Sequence, residues 1–138
     1  MTTRARAVFQ VTGWDEQPYE DLEGSGRLTR AAVTQTFSGD IEGDGAVTWL
    51  MAYTADDAAD YVGIQRITGR LGDREGTVVL TTTGSFDGQV AAGTWRVVAG
   101  SGTGGLAGIS GSGEFRAPLT GEPSVTLDYD LHDVHDIA

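Results

Sequence analysis

Few side chains in this sequence have the type and spacing to do chemistry. The most conspicuous motif is Gly100-Ser-Gly-Thr-Gly-Gly105, which fits the G-x-G-x-x-G that holds a dinucleotide pyrophosphate. That chemistry needs a strand before the loop, a helix opening on its last glycine, and an acidic residue about 20 positions further on. Thr94-Trp-Arg-Val-Val-Ala99 supplies the strand, but Leu106-Ala-Gly-Ile-Ser-Gly-Ser-Gly-Glu-Phe115 follows, and each interior glycine costs a helix about 1 kcal/mol. No helix is expected there. Ala107, Ile109, Gly111, Gly113 and Phe115 fall on one side of a period-two pattern, with Leu106, Gly108, Ser110 and Ser112 on the other. The segment therefore reads as a tight turn feeding a glycine-rich strand, not as a phosphate loop.

Other catalytic constellations fail on inventory. There is no cysteine and no lysine, which removes thiolate nucleophiles, zinc-thiolate clusters, disulfides and Schiff-base chemistry. The two histidines, His132 and His135, both lie in the terminal Leu-His-Asp-Val-His-Asp-Ile-Ala, and no Gly-x-Ser-x-Gly elbow occurs, so a conventional hydrolase is disfavoured. Asp130, His132, Asp133, His135 and Asp136 could ligate zinc or nickel if the tail folded back, but chain ends usually fray. Asp40-Ile-Glu-Gly-Asp44 looks like a fragment of a calcium loop without its twelfth-position glutamate, and reads as a polar hairpin turn. No metal site and no cofactor are expected.

The elements that must position any remaining chemistry are strands. Turn signals recur along the chain, separating about eight runs rich in Val, Thr, Ile and aromatic residues: 5–13, 27–38, 46–54, 59–71, 77–86, 90–99, 106–117 and 124–131. Acidic residues gather mainly between them, at 15–23, 40–44, 56–60, 73–75 and Asp87. Phe86-Asp-Gly-Gln89 is the strongest hairpin signal, Leu71-Gly-Asp-Arg-Glu-Gly76 reads as a longer hairpin loop, and a single helical turn at 54–59 is too short to count on. Strands of this length, with glycine inside them at Gly63, Gly69, Gly84, Gly93, Gly108, Gly111 and Gly113, favour closure over an open sandwich. The expected fold is all-β, a single eight-stranded antiparallel barrel over residues 1–131 with a C-terminal tail at 132–138.

Alternation of side chains across each strand names the inward faces. Ala31, Val33, Gln35 and Phe37 share one face, as do Val47, Trp49, Met51 and Tyr53, and Val125, Leu127, Tyr129 and Leu131. The fourth run is ambiguous, with Tyr61, Gly63, Gln65 and Ile67 opposing Val62, Ile64 and Arg66. A buried amide without partners costs roughly 1–3 kcal/mol, so inward polar groups ask for a hydrogen bond or a ligand. Gln35, Tyr53 and Gln65 are the candidate catalytic or polarising groups. Phe37, Trp49, Met51, Tyr61, Trp95 and Tyr129 are the candidate walls of an apolar pocket.

Charge bounds the partners. Nine arginines face twenty carboxylates, for a formal charge of −11 and a pI near 4.3. Nucleic acid and anionic membrane surfaces, which need clustered cations, are not expected partners. The basic start Met1-Thr-Thr-Arg-Ala-Arg is followed by no apolar signal segment, and no run approaches the 18 or so residues of a spanning helix, so a cytoplasmic protein is expected.

Leu28-Thr-Arg-Ala-Ala-Val-Thr-Gln-Thr-Phe-Ser-Gly-Asp40, Trp49-Leu-Met-Ala-Tyr53, Gly93-Thr-Trp95 and Gly100-Ser-Gly-Thr-Gly-Gly-Leu-Ala-Gly-Ile-Ser-Gly111 together resemble a bacterial domain-of-unknown-function family grouped with the allene oxide cyclase-like barrels. Plant dirigent proteins belong to the same group. The resemblance implies a closed eight-stranded barrel, often oligomeric, around an apolar cavity. In the cyclases that cavity folds a reactive lipid epoxide; in dirigent proteins it orients phenoxy radicals. None of the cyclases' polar catalytic residues maps onto this sequence. The leading expectation is a barrel that binds a small apolar or aromatic metabolite, as a homo-oligomer. The alternatives are a cofactor-free isomerase or cyclase acting by confinement, and an oligomerisation module without a cavity.

Overall fold

A computed structural model describes residues 2–24, 26–54 and 58–132. Eight antiparallel strands close into a barrel in up-and-down order: β1 (Thr3–Asp21), β2 (Arg27–Gly39), β3 (Ile41–Tyr53), β4 (Ala59–Leu71), β5 (Arg74–Phe86), β6 (Val90–Val97), β7 (Ile109–Pro118) and β8 (Ser124–Leu131). Each strand pairs with its neighbours in sequence, and the N-terminal part of β1 pairs with β8, from Thr3 opposite Tyr129 to Val8 opposite Ser124. Closure pairs most of the sheet's edges, but beyond Val8 β1 is laddered to β2 alone, apart from the Phe9 N–H that reaches Pro123 O at 3.0 Å.

Alternation resolves as the inward faces predict, including the ambiguous β4: Tyr61, Gln65 and Ile67 are buried while Val62 and Ile64 stand about half exposed. Three boundaries differ from expectation. β1 continues through the acidic stretch to Asp21, because β2 offers it a ladder all the way to Arg27. β3 begins at Ile41, so only Asp40 turns; its carboxylate accepts the Arg6 backbone N–H at 2.9 Å while Glu42 meets Arg70 at 2.9 Å, which leaves a hairpin. The β4–β5 turn is just Gly72-Asp73, since Gly72 takes a left-handed φ of 62° that makes a two-residue connection feasible. The helical turn expected at 54–59 involves residues 55–57, outside the described residues, as do residues 133–138 of the tail.

The glycine-rich segment closes one end. β6 is short and pairs β5 only from Leu80 to Phe86, so the first part of β5 needs another partner. The loop after β6 supplies it. Val98 N–H reaches Val79 O at 2.9 Å and Thr103 N–H reaches Thr77 O at 2.9 Å, while Ser101 and Thr103 hydroxyls accept the N–H groups of Val79 and Thr77, each at 3.1 Å. A single 3₁₀ turn, Gly104–Leu106, then drops Leu106 into the core at 2% exposure. The expected tight turn is thus a 3₁₀ turn, and the strand that follows begins at Ile109 rather than at Leu106. The loop's polar groups are thus engaged by the barrel wall, and the nucleotide-like motif is an end cap.

No helix among the described residues is long and apolar enough to cross a membrane.

Candidate functional site

Two kinds of residue alternate around the inner wall, and their pairing keeps the barrel from filling solid. Trp49 lies opposite Gly63, Tyr61 opposite Gly84, and Phe115 opposite Gly93 in the strand register. Each ring lies against its glycine: a Cβ added there would stand 2.8 Å from Trp49 Cε3, 2.5 Å from Tyr61 Cε1 and 2.7 Å from Phe115 Cε2. Absent side chains let the rings lie along the wall instead of across the axis. The rings also brace one another, with Trp49 edge-on to Tyr61 at 4.6 Å between centroids and Phe115 at 6.0 Å from Trp49. The result is a cavity of about 310 Å³, open at the end of the barrel formed by the C-termini of β1, β3, β5 and β7.

Two glutamines supply amides to this cavity. Gln65 is 1% exposed and Gln35 8%; both face inward, from β4 and β2, the two strands that flank β3. Gln65 Nε2 donates to Gln35 Oε1 at 3.0 Å and to the Arg66 carbonyl at 3.3 Å. Gly45 makes the pairing possible, since a Cβ there would sit 2.7 Å from Gln65 Nε2 and 2.9 Å from Gln35 Oε1.

The mouth holds a polar cluster built around Glu16. Its Oε2 accepts the Thr29 hydroxyl at 2.6 Å and the Tyr53 hydroxyl at 2.7 Å, and its Oε1 accepts the Trp14 indole N–H at 3.0 Å. The Arg27 guanidinium lies 4.1 Å from the Tyr53 ring centroid. Burial opposes the Glu16 charge, but the three donors and Arg27 outweigh it and hold the carboxyl below its ordinary range. Burial, the bond to Glu16 and that group's charge push the Tyr53 phenol up to about 12; burial does the same to Tyr61, whose hydroxyl donates to the Ser85 carbonyl at 3.3 Å.

Of the residues singled out from sequence, Gln35, Trp49, Met51, Tyr53, Tyr61, Gln65 and Trp95 line this cavity together. Phe37 and Tyr129 do not. Phe37 packs beneath the floor against Phe9 and Trp95, with centroids at 5.7 and 6.0 Å. Tyr129 faces inward at the other end, beside the Gly72-Asp73 turn, where burial and the charges of Asp73 and Asp40 raise its phenol. Strand alternation gives the face of a residue but not its height along the barrel, so both looked equivalent to the cavity residues. Thr29 shares the inward face of β2 and went unnoticed because its polar group points to no partner on that strand, whereas Glu16 and Trp14 were missed for a different reason. Thr12 is an extra residue in β1, between the pairs Val11–Gln35 and Gly13–Thr34, and this bulge shifts the alternation so that Trp14 and Glu16 follow Phe9 and Val11 inward.

The family described as Protein of unknown function (DUF3224) matches residues 5–129. The chain belongs to the DUF3224 family. The matched span contains the whole cavity wall of this DUF3224 barrel, from Phe9 to Val125. The chain is also similar to the crystal structure of a DUF3224 protein of unknown function from Shewanella oneidensis MR-1, with 27% identity and a TM-score of 0.78, over 96% of this chain and 100% of that one. A search of curated proteins finds no match.

Proposed function

We propose that the barrel binds a small apolar or aromatic metabolite in the open cavity. The observation that carries this reading is the aromatic wall held back by glycine: a hollow of about 310 Å³, apolar apart from a few orienting polar groups. The resemblance to allene oxide cyclase-like barrels supports it. The test is a panel of apolar dyes and aromatic metabolites, read by tryptophan fluorescence and melting temperature. Binding quenches Trp49 or Trp95 and raises Tm; a broad panel that moves neither removes the reading.

A cofactor-free isomerase or cyclase is the second reading, favoured by Gln35, Gln65 and Tyr53 facing one confined space. It ranks behind binding because Tyr53 and Tyr61, pushed up to about 12, and Glu16, held low, leave no side chain poised to exchange a proton near neutrality. Turnover of a strained epoxide or polyene by the native protein, lost in Gln35→Leu and Tyr53→Phe, would reverse that ranking. Homo-oligomerisation is proposed on the outer face, where exposed Leu50 pairs with exposed Val62 beside Ile64. Light scattering that returns the mass of one chain at high concentration would exclude it.

A further inference from the structure

We infer that the ligand of this cavity is an uncharged carbonyl compound whose oxygen is received by the Gln35 amide at the inner end. The inference rests on the binding reading above and gives it a chemical direction.

The glutamine pair fixes that direction. One terminal atom of Gln65 stands within hydrogen-bond distance of both Gln35 Oε1 and the Arg66 carbonyl oxygen. Only the nitrogen can satisfy both; turned about, the Gln65 oxygen would face a carbonyl oxygen. Gln35 must therefore offer its oxygen to Gln65, and its NH₂ is left over. That nitrogen makes no hydrogen bond among the described residues, although Gln35 is more than nine-tenths buried and lines the cavity. On a side chain this buried, a donor that reaches the cavity without a protein partner is a site for an acceptor.

The other polar groups agree. The Tyr53 and Tyr61 hydroxyl protons are committed to Glu16 and to the Ser85 carbonyl, so neither phenol competes with Gln35 as a donor. Trp49 and Trp95 line the same wall, and neither indole N–H makes a hydrogen bond among the described residues. Charge then separates neutral from anionic acceptors. Among the described residues no charged side chain lines the cavity; at its mouth Arg27 faces Tyr53 and Glu16, and the chain carries −11 overall, so a carboxylate would enter against the field with no cation inside the cavity to receive it.

The test uses three two-ring probes of similar size: 2-acetylnaphthalene, the hydrocarbon 2-isopropenylnaphthalene and the anion 2-naphthoate. Affinities are read by tryptophan fluorescence and calorimetry. The ketone is expected to bind about tenfold tighter than the hydrocarbon, and the anion more weakly than either. Gln35→Leu should abolish the ketone's roughly tenfold advantage over the hydrocarbon, read as the ratio of the two affinities in the same variant. Because that variant leaves Gln65 without its partner and can misfold, infrared spectroscopy of the ketone bound to the native protein gives an independent reading. Its carbonyl stretch should move below its position in an apolar solvent. Equal affinities for ketone and hydrocarbon, or an unshifted carbonyl, overturn this inference and leave apolar binding intact. Failure of all three probes to bind overturns both.

Discussion

At the base of the barrel, Ile41, Leu71, Val78, Val97, Leu106 and Ile109 are all buried and fill the space with aliphatic side chains. At the mouth, the same strands carry aromatic rings that lie along the wall and leave the axis open. Glycine does opposite work at the two ends. At the base, Gly76 lets the backbone at Thr103 and Leu106 approach β5 so closely that no Cβ would fit, and the cap seats. Toward the mouth, Gly63, Gly84 and Gly93 each admit a neighbouring ring as well as a strand carbonyl, and the hollow survives. The contrast teaches that one composition, rich in glycine and aromatics, makes a seal or a socket according to whether a ring joins the backbone in the vacated space.

The largest expected effect that breaks the contrast is at the base. Leu106→Ala removes the cap's only deep anchor and should cost about 3 kcal/mol in urea unfolding, as buried leucine truncations do. Dye affinity at the mouth should be unchanged, since Leu106 does not line the cavity. A parallel loss of dye binding would mean that the ends are not independent. Gly84→Ala is the matching change in the socket. Its Cβ would press on the Tyr61 ring and on the Ala92 carbonyl, 2.7 Å away, so stability should fall by roughly 2 kcal/mol. Here dye affinity should fall as well, because the displaced ring moves into the hollow.

A smaller effect sharpens the role of the glutamine pair. Gln65→Leu leaves Gln35 Oε1 without its donor and should cost about 1–2 kcal/mol, measured by urea unfolding, since a buried acceptor loses its partner. The double change Gln35→Leu with Gln65→Leu removes both amides and should recover much of that loss. No recovery would show that the two side chains act separately.

Much of the inner face of the cavity was legible in the sequence. Strict alternation in β2, β3 and β8 placed Gln35, Trp49, Met51 and Tyr53 on the inner face directly. The glycines inside strands signalled closure, and the structure adds which ring each of three accommodates, a matter of register that no single strand contains. Phe37 and Tyr129 show the limit of alternation, because it is blind to height. Glu16 shows a second limit. One unpaired residue, Thr12, inverts the parity of everything after it, and a carboxylate that reads as part of a solvated acidic loop becomes the acceptor of three hydrogen bonds.

That carboxylate gives the subtlest way to tell the ends apart, through pH. Glu16 is held below the unfolded value of about 4.3, so its ionised form favours the folded state. Its contribution is fully present above that value and is lost as pH falls through the lower folded value. Stability of the native protein, followed by urea midpoints from neutrality into the acid range, should therefore drop below about pH 4.3. Exposed Asp87 and Asp128 are also held low, by backbone N–H groups of Val90 and Gln89 and by Arg4 respectively, and contribute in the same sense. Glu16→Gln should be less stable than the native protein at neutral pH, and the gap should close as pH falls, because the native carboxylate is then protonated too. Leu106→Ala should instead stay a constant distance below the native curve, since Leu106 is apolar and packs at the far end. Parallel curves for Glu16→Gln would show that its three hydrogen bonds at the mouth do not depend on its charge.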